Sequence, residues 1–290
     1  MDCHLHHDSG ARATVAAAGA ELRALHLGGR DLLWDAGPLW PRCAPLLFPI
    51  VGALAGDTLR HEGATFKLPK HGFARDLAFA ASAPSATSCT LTLAESAATL
   101  AAYPFPFCLT VTYTLAATSL RMDLVLANPG PEPLPASLGL HPAFRWPLYP
   151  GLPKGAHRLV FAAEEPGPLR RIDAQGLLTE MAHPTPITDQ VLPLRESLFE
   201  EDALLFLEPR SRSLRFEVAD GPSLTLAWEG FPHLGVWTKP DLGPGFLCIE
   251  PWEGYASPAD WNGEISEKPG SFVLAPGTER KWSLTISVED

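Results

Sequence analysis

The sequence predicts an all-β protein built as one antiparallel sandwich, and three observations lead there. Apolar residues recur at period two or in short runs, Gly and Pro bound those runs, and thirty prolines spread along the chain break any long helical pattern. The first alternating run is Ser88 to Leu93. Thr110 to Leu115 (TVTYTL) and Leu120 to Leu126 (LRMDLVL) follow, joined by Ala-Ala-Thr-Ser, and together they signal a hairpin. Leu214 to Val218, Leu224 to Trp228, Gly235 to Thr238, Phe246 to Glu250 and Trp282 to Val288 read as further strands. Between them, Asn128 to Pro135 (NPGPEPLP) could divide two domains, yet it directly precedes a motif-bearing stretch and reads as an internal loop. The expectation is a single domain over residues 1–290, with residues 1–10 frayed.

Composition narrows the partners. A chain of 290 residues, 46% hydrophobic and 19% charged, has the apolar content for a large core. Its formal charge of −11 argues against nucleic acid or an anionic membrane surface, since both demand a net basic face. A small anion can still bind a local basic pocket. No run of eighteen apolar residues lacks a charge, Pro or polar interruption, so no membrane span is expected, and MDCHLHHDSG lacks the pattern of a secretion signal. Cys3, Cys43, Cys89, Cys108 and Cys248 are odd in number, without CxxC or metal-like spacing, which suggests reduced thiols in a cytoplasmic protein. A monomer or homodimer without cofactor or metal is the expectation.

Three segments place an ionisable residue beside Gly, Pro or an aromatic: Pro69 to Arg75 (PKHGFAR), Gly139 to Phe144 (GLHPAF) and Ile249 to Trp252 (IEPW). A single histidine near glycine is more often a hydrogen-bonded loop residue than a catalyst. Together the segments offer more. Histidine exchanges protons near neutral pH, a carboxylate acts as a base, and an aromatic ring gives sugar C–H groups a flat face. Such a set suits a carbohydrate site.

With Trp40 to Gly52 (WPRCAPLLFPIVG) added, these blocks resemble, in order, those of the aldose 1-epimerases, in the branch that includes LacX-like and hexose-6-phosphate epimerase-like proteins. The resemblance implies a galactose mutarotase-like β-supersandwich of antiparallel sheets and a sugar or sugar phosphate as partner. It implies that His141 is the general acid that protonates the ring oxygen and Glu250 the base that takes the C1 hydroxyl proton. The ring then opens, C1–C2 rotates and reclosure gives the other anomer, by proton transfers that need no cofactor. His71 would hold sugar oxygens, Arg42 and Arg75 would donate to hydroxyl or phosphate oxygens, Asp202 would bind a hydroxyl, and Trp252 would line the site.

Two positions depart from the branch. Ala53 stands where relatives often carry arginine, and Glu253 follows Trp252 where an aromatic is common, so one anion contact is lost and a negative charge is added near the site. Trp228, Trp237 and Trp282 read as sandwich core, whereas Trp252 and Trp261 fit either core or sugar platform. His4 to Asp8 has a metal-like composition but lies in the stretch expected to fray. Catalysis requires His141 and Glu250 to face one cavity from opposite sides of a hexose ring. A noncatalytic sugar-binding protein on the same fold needs only the aromatics and Arg75, and a structural or regulatory protein needs neither.

Overall fold

The computed structural model describes residues 1–82, 85–219, 221–240 and 245–289. Each alternating run forms a strand, and the ladders between them are antiparallel. In the predicted hairpin, Cys108–Leu115 pairs with Ser119–Ala127 from Leu115↔Leu120 at the closed end to Cys108↔Ala127 at the open end. Leu109, Val111 and Tyr113 turn inward, while Thr110 and Thr112 stay on the other face. There their hydroxyls bond Thr92 and Thr90 of the next strand at 3.3 and 3.0 Å. Such cross-strand pairs stabilise a sheet by roughly 0.2–1 kcal/mol each.

Two large sheets result. The nine-stranded sheet runs, in spatial order, Val191–Pro193, His157–Phe161, Ser213–Val218, Ser223–Glu229, Glu279–Ser287, Ser119–Ala127, Cys108–Leu115, Ser88–Ala94 and Ala80–Ser82. The eight-stranded sheet runs Leu178–His183, Leu169–Ile172, Leu204–Phe206, His233–Trp237, Gly245–Glu253, Leu138–Leu140 and Leu46–Leu47, and Ala143–Trp146 also pairs with Gly245–Glu253. One apolar cluster joins Val111, Leu124, Phe216 and Leu284 of the first sheet to Leu234, Val236, Leu247 and Ile249 of the second. Trp228 and Trp282 lie in it, as expected of core tryptophans. Trp237 does not.

The strand Gly245–Glu253 is buried along its whole length. A strand covered on one face would alternate, so full burial means that both faces are covered. Leu247 and Ile249 point into the core between the sheets, while Phe246, Cys248 and Trp252 belong to separate clusters on the opposite face, beneath Trp34, Trp40 and Trp237. Glu250 shares that second face by strand alternation.

The N-terminus corrects an expectation. Residues 1–10 are not frayed: Cys3–His6 pairs with Arg12–Val15 in a four-stranded sheet, because CHLH alternates and buries Cys3 and Leu5 while His4 and His6 turn outward. Asn128 braces the Pro/Gly-rich segment, accepting from Gly130 N at 2.9 Å and donating to the carbonyls of Glu132 and Leu274 at 2.7 and 2.9 Å. Among the described residues no helix is long and apolar enough to cross a membrane.

Candidate active site

A cavity of about 260 Å³ opens on the covered face of Gly245–Glu253. That is slightly below the range of drug-sized pockets and suits a single sugar ring. His141, Glu250, His71, Arg75, Asp202 and Trp252 all line it. Arg42 does not.

Three backbone bonds set His141. Its N–H reaches Pro45 O at 3.2 Å, Ala143 N donates to Cys43 O at 2.8 Å, and Ile249 N donates to Pro142 O at 3.3 Å, so residues 141–143 are held between the segment around Cys43 and the strand carrying Glu250. That segment is anchored in turn by the buried Glu21, whose Oε1 accepts from Cys43 N at 2.6 Å and Ala44 N at 3.0 Å. At the cavity floor His141 Nε2 lies 3.1 Å from Glu250 Oε2. His141 Nδ1 is buried without a partner among the described residues. The two residues face one cavity, but not from opposite sides of a ring: they stand side by side in contact.

Burial drives both groups of this pair toward their neutral forms. It pushes the Glu250 carboxyl well above the usual carboxylate range, against the pull of Lys70, and lowers His141 to about 3, with Arg75, Lys70 and Arg42 adding to the effect. The pair therefore holds one proton between its two members.

His71 is fixed by exchange with Gly52: its N–H donates to Gly52 O at 2.8 Å, and its Nδ1 accepts from Gly52 N at 3.1 Å. Desolvation and the nearby His141 hold it neutral, so Nε2 carries the proton and is a donor toward the cavity. The residue adopts φ 68°, and Gly72 follows at φ 67° against Phe48 O, where a Cβ has no room. That close approach is the physical content of the His-Gly step.

Arg42 is spent elsewhere, which corrects its expected role. Its Nη2 binds Asp76 Oδ1 at 2.6 Å and its Nη1 donates to Arg75 O at 3.3 Å, pinning the turn that carries Arg75. Arg75 Nη2 donates to Lys70 O at 2.7 Å. Lys70 is exposed at the cavity wall and makes no ion pair among the described residues. Asp202 sits at φ 66°, with Oδ1 accepting from Ala203 N at 2.7 Å and Oδ2 unpaired among the described residues.

The walls are aromatic. The Trp40 ring lies 5.1 Å from the His141 ring and is stacked on Phe246 at 5.1 Å, and Trp237 stands edge-on to His141 at 5.9 Å. Trp34 Nε1 donates to Trp40 O at 2.9 Å and ties the Trp40 loop down. Trp237 is thus a cavity wall and not core, because the face it occupies is covered by the site instead of by the second sheet. Trp252 lines the cavity with its indole lying across Gly139 and Gly235 of the two neighbouring strands, and Trp261 packs on the apolar core.

Glu253 also departs from expectation. It faces the inter-sheet side, where Oε2 accepts from Trp282 Nε1 at 2.8 Å and Oε1 pairs with Arg280, so it places no charge in the cavity. Strand alternation explains the difference, since three positions separate it from Glu250. Trp40, Trp237 and Glu21 show how unevenly sequence signals transfer: Trp40 stood inside a motif, but nothing in the local pattern marked Trp237 or Glu21.

The chain matches the family profile "Aldose 1-epimerase" over residues 1–287. It is 30% identical to the chromosomal LacX protein of Lactococcus lactis subsp. lactis and 29% identical to the plasmid form, in each case over 270 residues covering 90% of both chains. Among solved structures it resembles a galactose mutarotase related enzyme from Lactobacillus acidophilus, at TM-score 0.91 and 27% identity over 100% of this chain and 98% of that one. A galactose mutarotase-like protein from Lactobacillus casei aligns at TM-score 0.91 and 26% identity over 100% of both.

Proposed function

This chain belongs to the aldose 1-epimerase family, and on that premise we propose that it interconverts the α and β anomers of a hexose or hexose 6-phosphate by acid–base ring opening at the His141–Glu250 pair. The observation that carries this is the 3.1 Å contact of the two buried groups on a cavity floor walled by tryptophans. On sugar binding the shared proton resides on His141, which protonates the ring oxygen as Glu250 takes the C1 hydroxyl proton. The C1–ring oxygen bond breaks, C1 becomes a carbonyl, and rotation about C1–C2 presents its other face. Reclosure returns both protons, so no net proton is gained or lost.

The remaining residues bind and orient. His71 Nε2–H and Asp202 Oδ2 suit sugar hydroxyls, and Trp40, Trp237 and Trp252 suit the apolar faces of the ring. Lys70 and Arg75 favour an anionic substituent, which tilts the choice toward a hexose 6-phosphate. The test is anomer exchange by NMR across free and 6-phosphorylated aldoses, with Glu250→Gln as control. Exchange that the enzyme accelerates and the variant abolishes is the expected result. Sugar binding without accelerated exchange would identify a noncatalytic carbohydrate-binding protein, and faster turnover of free hexoses would overturn the phosphate preference.

A further inference from the structure

A third side chain with ligating chemistry stands beside the proposed acid–base pair. Cys248 lies two residues before Glu250 on one strand, so both point to the same face. Ala143 pairs with Cys248 across the ladder, which brings His141 alongside. A ring nitrogen of His141, Cys248 Sγ and a Glu250 carboxylate oxygen consequently lie within 4.8 Å of one another, all three residues buried. His141 is only 8% exposed and its Nδ1 has no partner among the described residues, and His141 and Glu250 open to the cavity through which an ion would enter.

We propose that His141, Cys248 and Glu250 form a binding site for Zn²⁺ or a chemically similar borderline divalent cation. Imidazole, thiolate and carboxylate are the donor types that Zn²⁺ accepts, and three protein ligands leave the fourth tetrahedral position toward the cavity. With bond lengths of about 2.0–2.3 Å, tetrahedral ligands stand roughly 3.3–3.8 Å apart, so side-chain rotations of about an ångström close the set. Charge balances. The ion displaces the Cys248 thiol proton and the one proton of the His141–Glu250 pair, and Zn²⁺ then sits between one thiolate and one carboxylate. Burial pushes the Cys248 thiol well up, and Lys70 and Arg75 face the pair as cations, with the more distant Arg42 paired to Asp76, His71 neutral and Asp202 opposing them. Affinity therefore climbs as pH rises.

Binding by this trio stands apart from the enzymatic proposal; that an occupied site stops turnover rests on it, since the ion takes both the acid and the base. The test is a Co²⁺ titration of the full chain. The expected result is a thiolate-to-cobalt charge-transfer band that saturates at one ion per chain, is reversed by Zn²⁺, and disappears in both Cys248→Ser and Cys248→Ala. Zn²⁺ affinity should fall by more than about a hundredfold in those variants, beyond the usual cost of losing a supporting partner. A missing band in wild type overturns the site. So does a band that persists without Cys248, or Zn²⁺ affinity unchanged by its loss, as it would be if His4, His6 and His7 took the ion. Zn²⁺ that reverses the band but leaves turnover intact would keep the site and overturn the acid–base assignment instead.

Discussion

At the residue scale, the properties of His141 and Glu250 come from burial acting on two groups in contact. Removing either from the pair leaves its neighbour without a proton partner, so His141→Asn should lose at least about a hundredfold in rate, the scale for a positioned acid. The same change at His71, a hydroxyl donor in the proposal, should raise KM more than it lowers kcat. Because burial holds His141 down to about 3, the pair gains a second proton, which blocks the base, only below about that pH. The acid limb of kcat/KM should thus fall toward pH 3; a limb near 6.5, the ordinary histidine value, would show that the imidazole is not shielded as the structure has it. Lys70→Met or Arg75→Ala should change the KM ratio of phosphorylated to free sugar roughly tenfold or more, the effect of a charge-assisted contact of about 1.5–3 kcal/mol. Steady-state kinetics on both sugars checks this, and an unchanged ratio would remove that residue from any phosphate site.

At the element scale, the site depends on one strand being covered twice. Gly245–Glu253 gives alternate side chains to the core and to the cavity, and its neighbours make room for the largest of them. Gly235, paired with Glu250, and Gly139, paired with Trp252, lie under the Trp252 indole; a Cβ on Gly139 would stand 2.6 Å from its Cδ1, and one on Gly235 would fall inside the ring's contact distance. Gly235→Val should therefore displace the indole at a cost of about 1–3 kcal/mol, as overpacking does, and raise KM for sugar with it. Urea unfolding and tryptophan fluorescence would report both changes, and a variant of wild-type stability and KM would show that Trp252 is not seated by its neighbours. The strands and the hairpin were legible in the sequence because period-two patterning is local. Which of two buried faces meets a second sheet and which meets a cavity is not local, and that is why Trp237 read as core.

For the whole molecule, the two sheets are tied by polar as well as apolar contacts. Glu253 reaches across to Arg280 and Trp282 of the nine-stranded sheet, and Glu253→Ala leaves the buried Trp282 Nε1–H unsatisfied. The expected cost is about 1–3 kcal/mol in chemical unfolding, with the half-exposed Arg280 contributing little, and no change in the preference between phosphorylated and free sugar. A shifted sugar preference would put the carboxylate back in the site. The pattern along the chain made legible the antiparallel β architecture, the family, and the residue types of the proposed acid–base pair, since periodicity and short motifs are local. It carried six of the seven named site residues into the cavity for the same reason. Packing in three dimensions was needed to show that Arg42 is neutralised by Asp76, that Glu253 points away from the cavity, that His141 touches Glu250, and that Cys248 stands beside them. Each of these depends on which side chain meets a given charge or ring across the sheets, and that pairing is set by packing between segments far apart in the chain.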